Sequence, residues 1–446
     1  MGERELFEAL PEQRAPEGPG GRGAPRLQEV RRDQVALRAV DLEGLVAADD
    51  PVRAVWEFTG TLDLSPLNEL VEAREGGPGR DAIPPRLLLA LWLHATLRGI
   101  GSARLLARLC ESEITFQWLC GGVGVNHHTL GDFRVAHGEL IDRLLTDSVA
   151  SLVAAGLVSL ERVALDGMRV RAAAGAGSFR RKARLAELQR EARALVTRLR
   201  REIDDDPSAD ERRKAAAERR AAEERVARLA AARRRMAELE AERARRARTN
   251  KAETKKQKEP RASTTDPEAR VMKMADGGFR PAYNAQIASD PETQAVLAVD
   301  LDTTGSDRGR IAPMLERLKK RFGRLPEELI ADGGFGANDD IEAAHEEGVA
   351  VFLRPTRSKH GRDPFAARAE DGPGVAAWRA RMASEDGAAV YRRRGPCERI
   401  HAAMREHGLT RLTVRGTAKV RAVVLLHALA NNLECWIRLR RAEAAA

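Results

Sequence analysis

Three acidic residues sit where side chains of their type could do chemistry. Asp166 lies inside the β-rich run VALDGMRV, Asp332 directly follows the β-rich ELIA of residues 328–331, and Glu398 stands among cations in YRRRGPCERIHAAMR, residues 391–405. Three carboxylates are what two magnesium ions about 3.5–4 Å apart require, one ion to generate an attacking hydroxide or 3′-oxygen and the other to stabilise the leaving oxygen of an in-line phosphodiester displacement. Mg2+ prefers carboxylate and water to imidazole, which agrees with the lack of a histidine constellation. Uncompensated, the three acids would repel, so such a site should be weakly formed until metal arrives. The pentapeptide ADGGF occurs twice, at 275–279 and 331–335. Only the second copy follows a strand-like run, at the mouth where α/β folds gather ligands, so Asp332 is preferred and Asp276 is held in reserve.

The surroundings of Glu398 sharpen its part. Pro396 ahead of an apolar-periodic run predicts a helix start, with Glu398 in the first turn and Ile400, Ala403 and Met404 along it. Arg394, Glu398 and Arg405 are spaced to share one helical face. On that face the carboxylate could take metal while the guanidiniums take phosphate oxygens; equally, the three could form a solvated Arg-Glu-Arg ladder.

The elements that would position these groups follow in order. Short helices are expected at Pro51–Phe58, Pro85–Leu97, Ser102–Cys110 and Thr115–Leu119, then a long one from an N-cap at Thr129 toward Leu157. Short helices with Gly-containing turns suit a helix-turn-helix domain, with Arg98, Arg104, Arg108 and Arg134 on phosphates, and suit a plain bundle as well. His127-His128, without a partner cysteine or acid, reads as turn or cap. Asp166-Gly167 marks either a strand or a hairpin turn. From 180 to about 258, apolar residues three and four apart, broken at DDDPSAD, predict an antiparallel helical hairpin, either an arm touching DNA or a partner subunit or a solvated coiled coil. Strands are expected at 282–288, 295–301, 328–331 and 349–353, with helices at 308–322 and 338–347 between them. The succession predicts an α/β core with a mixed sheet.

Bulk properties narrow the partners. The 446 residues carry a formal charge of +9, which favours a polyanion, nucleic acid before anionic membrane. The four cysteines show no CxxC spacing, so a reduced intracellular compartment without structural zinc is expected. Nothing at the N-terminus has a signal-peptide core, and the longest apolar run, Leu87–Leu97, is too short to span a bilayer, so a soluble protein is expected. Residues 1–35, rich in Pro, Gly and Arg, read as a disordered arm.

These residues resemble the DDE transposases of bacterial insertion sequences. Tyr391, Arg394, Glu398 and Arg405 repeat the family's order of tyrosine, arginine, glutamate and lysine at the same spacing, with arginine in the lysine's place. The runs VALDGMRV, TDPEARVMKMADGGFRPAYNAQ and LIADGGFG look like the insertion sequence family numbered eleven eighty-two in particular. The resemblance implies an RNase H-like mixed-sheet core in two parts, 159–177 and 259–440, interrupted by the helical hairpin and basic linker of 178–258. It also implies an all-α DNA-binding domain over 36–158. Asp166, Asp332 and Glu398 would be both catalytic residues and ligands of two Mg2+ ions, with Mn2+ able to substitute. Tyr391, Arg394 and Arg405 would grip DNA near the cut. The implied activity is cleavage at terminal inverted repeats and strand transfer into target DNA, by a homodimer on transposon ends and target in the cytoplasm at the nucleoid. The rivals are an RNase H-like nuclease without strand transfer and a non-catalytic DNA-binding protein. Asn431 and Asn432, in the family's closing helix, read as packing and capping residues.

Overall fold

A computed structural model describes residues 41–78, 80–204, 209–249, 259–356 and 363–445. The expected N-terminal arm and most of the basic linker after residue 249 lie outside these. From Leu42 onward the chain packs as one compact unit.

Seven helices come first: α1 (Pro51–Gly60), α2 (Ser65–Glu69), α3 (Pro85–Leu97), α4 (Ala103–Ser112), α5 (Ile114–Cys120), α6 (His127–Ala136) and α7 (Gly138–Ala154). Their starts are written locally. Asp50 caps α1 by accepting the Val52 N–H at 2.8 Å, with Pro51 at the first helical position, and Ser102 caps α4. The long helix expected from Thr129 is two helices instead. Asn126, not Thr129, is the cap, its side chain accepting from the His128 and Thr129 N–H groups at 3.0 and 2.9 Å. The chain breaks at His137, whose backbone leaves the helical region at φ −111 and ψ 33, and a new helix starts at Gly138.

The sheet is mixed. Strands β1 (Arg162–Arg171), β5 (Phe279–Ser289), β6 (Val296–Asp302), β7 (Glu328–Ala331) and β8 (Ala350–Phe352) carry it, with β4 (Arg270–Lys273) at one edge. β1 runs antiparallel to β5 and parallel to β7, and β7 is parallel to β8. β4 and β6 share the far side of β5. The pairing of β1 with β5 continues through Asp166-Gly167, so those residues are not a hairpin turn. β4 and a two-residue pair, β2 (Phe179–Arg180) with β3 (Ala262–Ser263), went unsignalled because so short a run has no readable period.

Between β2 and β3 lie two long helices, α8 (Lys182–Asp204) and α9 (Ala209–Thr249). Lys182 meets Glu240 and Gln189 meets Arg233, pairings that fall as one chain position rises, so the helices are antiparallel. Leu185, Ala192, Leu229, Ala232 and Met236 form the seam. Helices α10 (Ile311–Phe322), α11 (Asn338–Glu346), α12 (Pro373–Ala383), α13 (Glu385–Arg392), α14 (Pro396–Glu406) and α15 (Thr417–Ala445) complete the chain.

Strand alternation divides the core between the two faces of the sheet. Met168, Val170, Tyr283 and Ile287 pack with Trp92 of α3, Leu130 of α6 and Leu425 and Leu429 of α15. Leu165, Ala298, Leu329 and Ile330 pack with Ile311 and Leu318 of α10, Ile341 of α11 and Trp378 of α12. Helices on both faces of a mixed sheet make an α/β architecture preceded by a helical region. Among the described residues no helix is long and apolar enough to cross a membrane.

Candidate active site

β1 and β7 run side by side with Leu165 opposite Ala331, which brings the next residues, Asp166 and Asp332, together at the end of β7. Asp166 shares its face with Met168 and Val170, the side on which α14 lies. Its Oδ1 accepts the Gly167 N–H at 2.9 Å, and Asp332 likewise accepts the Gly333 N–H at 2.8 Å. Backbone bonds of this kind fix each carboxylate while leaving lone pairs for a ligand.

The third acid arrives on α14, which begins at Pro396 and places Glu398 in its first turn. The helix buries Cys397, Ile400, His401 and Met404 and leaves Glu398 exposed. Arg394 lies in the turn ahead of α14 and not on the helix, yet it keeps the expected four-residue relation. Its guanidinium spans 3.3 Å to Asp166 Oδ2 and 3.2 Å to Glu398 Oε1. Burial opposes the charge on Arg394, but Asp166, Tyr391, Asp332 and Glu398 together raise its pKa. All three acids therefore act on this one cation. Burial pushes Asp166 up to about 6, and Asp332 and Asp307 add to that against the pull of Arg394.

His401 is a member that sequence reasoning missed. Its Nδ1 lies 3.8 Å from Asp166 Oδ2, and burial, then Arg405 and Arg394, lower its pKa to about 4, so it is neutral near pH 7. The only signal was its position three residues beyond Glu398. Asp307 was missed as well, because its loop carries no pattern. It reaches under Gly167, accepting from Asn284 Nδ2 at 2.6 Å and Gln286 Nε2 at 2.8 Å.

Other candidates fall elsewhere. Asp276 sits in the exposed turn between β4 and β5, paired with Arg280 at 2.7 Å. His127 and His128 stack at 4.1 Å at the start of α6. Arg134, expected on phosphate, is buried against the Trp92 ring at 4.6 Å and donates to the Gly101 carbonyl. Arg98 pairs with Glu113 at 3.1 Å.

Whether the acids fit a metal depends on their donors. The set is all carboxylate oxygen, the chemistry of a hard divalent cation. Among the described residues no three His, Cys, Asp or Glu side chains group closely enough to hold an ion as they stand, since the Arg394 guanidinium bridges Asp166 and Glu398. Next to Asp332, a cavity of about 260 Å3 opens between Gly333, Asn338, Arg308, Arg354 and Arg368. Three guanidiniums and a helix start beside a strand-end carboxylate suit phosphate oxygens.

Two models of known families match parts of the chain. Residues 246–433 match the model described as a transposase DDE domain, and residues 40–136 match one described as a transposase domain. The first match includes Asp332 and Glu398 and begins after Asp166. No curated protein and no solved structure matches the chain.

Proposed function

We propose that the transposase indicated by these two domains, a DNA-binding enzyme, cuts DNA at the terminal inverted repeats of an insertion sequence and joins the freed 3′-ends to target DNA. The observation that carries this reading is the Arg394 guanidinium bridging Asp166 and Glu398, with Asp332 brought beside Asp166 by the register of β1 with β7. The strand order supports an RNase H-like core, with antiparallel β6-β5-β1 followed by parallel β7 and β8. The helical pair α8–α9 would be the insert within it.

Asp166, Asp332 and Glu398 would hold two Mg2+ ions, or Mn2+ in their place, which supply Lewis acidity and a more acidic attacking water. The protein's own groups do the positioning. Arg394 is the cation nearest the carboxylates and would turn from Glu398 to the scissile phosphate, supported by Tyr391 alongside. Arg405, exposed at the end of α14, would take a second phosphate. His401, uncharged, leaves Asp166 free to remain an anionic ligand. In the first step water displaces the 3′-oxygen of the element end from phosphorus and leaves a 3′-hydroxyl. That hydroxyl then displaces a 3′-oxygen from a target phosphodiester, so bonds broken and formed balance with no outside energy source. Assembly as a homodimer on paired ends, at the nucleoid, belongs to the same proposal.

The test is strand joining in vitro with a labelled duplex carrying a flanking repeat, a plasmid target, and Mg2+ or EDTA. Wild type should give joined product only with metal, and Asp332→Asn and Glu398→Gln should each give none. Full joining by Glu398→Gln would overturn the assignment. Cleavage without joining would make the protein a nuclease of the same fold, and binding without either reaction a DNA-binding protein.

A further inference from the structure

A second cationic concavity lies away from the carboxylates, where the helical pair meets the loops of the sheet. It is a cavity of about 500 Å3 lined by Arg180 and Arg184 near the start of α8, Arg225 and Arg228 of α9, Arg415 ahead of α15, and Thr265 beyond β3. Five guanidiniums from three stretches of chain repel one another, a cost that an anion between them would offset. Within 4 Å, Arg184 meets Glu187 and Glu191, and Arg228 meets Glu224, each on its own helix surface. Arg180, Arg225 and Arg415 form no ion pair among the described residues. Leu188 and Leu229 also line the cavity, and such low-dielectric walls focus the field of the arginines above them.

The rim is firmly built. Asp266, fully buried, accepts from Tyr283 Oη at 2.8 Å and from the Gly416 N–H at 3.2 Å, anchoring the turn that carries Arg415. Thr264 is tied back to the Ser178 carbonyl by its N–H at 3.0 Å. Planar guanidiniums with hydroxyls beside them match phosphodiester oxygens, and the concavity has room for a phosphate with its flanking sugars. β1 continues from Asp166 to Arg171 before the chain turns toward α8, roughly 17 Å at the rise of a strand.

We propose that this cavity seats a backbone phosphate of duplex DNA, at a distance from the carboxylate site. The proposal rests on the transposase reading only for the identity of the polyanion. The test uses the full chain and the salt dependence of duplex binding, read by fluorescence anisotropy. R225A/R415A should lower the magnitude of the slope of log K against log salt by about 0.9, the contribution of one phosphate contact. R225K/R415K should restore the slope. R190A/R193A, exposed on α8 outside the cavity, should leave it unchanged.

A slope unchanged in R225A/R415A would overturn the proposal, and so would an equal fall in R190A/R193A. Titration of inorganic phosphate and pyrophosphate separates the other source: binding of these that R225A/R415A abolishes, without change in the DNA slope, would make the cavity a free-phosphate site and refute the DNA assignment. Wild type that shows the slope difference but joins no strands would sink the transposition reaction and leave the cavity standing. Strand joining with an unaltered slope would do the reverse.

Discussion

At Gly167 the sheet tolerates no side chain, because a Cβ would overlap Asp307 Oδ1 and come within 3.2 Å of Asn284 Oδ1. The amides of Asn284 and Gln286, both fully buried, hold Asp307 in that space, one residue from Asp166. Gly167→Ala is expected to destabilise the fold by about 1–3 kcal/mol, the usual range for overpacking, as read by urea denaturation. The double variant with Asp307→Ala should recover part of the loss, and no recovery would place the strain elsewhere. Arg394 invites a different substitution. Its fork reaches two carboxylates at once, which the point charge of lysine cannot do. Arg394→Lys should join strands about tenfold less well or worse, a change of about 1.4 kcal/mol in the barrier; equal joining would show that the bridging geometry is dispensable. The i, i+4 relation of Arg394 to Glu398 was legible in the sequence, whereas Asp307 and His401 were not, since their importance comes from what folds against them.

Among the elements, α15 is tied to the edge of the sheet by side chains. Asn432 accepts the Val296 N–H at 2.7 Å and donates to the Val296 carbonyl at 2.9 Å, imitating a neighbouring strand at the start of β6. Asn431 donates to the carbonyl of Gln294, a non-glycine residue at φ 64, at 2.9 Å. The sequence marked both asparagines as packing residues but not their partners. Asn432→Ala leaves a buried N–H and a buried carbonyl unpaired and should cost about 1–3 kcal/mol for each group left unsatisfied. Asn431→Ala, which frees one carbonyl, should cost less; the urea midpoints of the two variants give the order. Boundaries were legible where a proline sets the start, as at Pro51, Pro85 and Pro396, and misread at α6, where Asn126 and not Thr129 is the cap. The break at His137 between α6 and α7 was not legible, since no proline or glycine turn precedes it.

Across the whole molecule, histidines buried in the helical layer make stability depend on acidity. Burial lowers His94 and His427 from 6.5 to about 4. A depressed histidine favours the neutral folded form, so its contribution is complete above the unfolded value near 6.5 and is lost as pH falls toward 4. At about 1.36 kcal/mol per pH unit, each contributes on the order of 3 kcal/mol over that window. Melting temperature should therefore hold steady above pH 7 and drop between pH 6.5 and 4. His94→Gln, which keeps a polar group beside Thr115 Oγ1, should flatten part of that drop, and a profile identical to wild type would refute the role of His94.

By itself the sequence determined the mixed α/β class, the helix starts marked by proline and the antiparallel helical pair, and it singled out the three acids and their flanking arginine as candidates. These are carried by local signals: period, caps, strand-end position and helical spacing. Only the tertiary structure decided that the register of β1 with β7 sets Asp166 beside Asp332, that one guanidinium bridges Asp166 and Glu398, and that five arginines from three distant segments line one cavity. Such groupings depend on register and on packing between distant segments, and no window of sequence contains both partners.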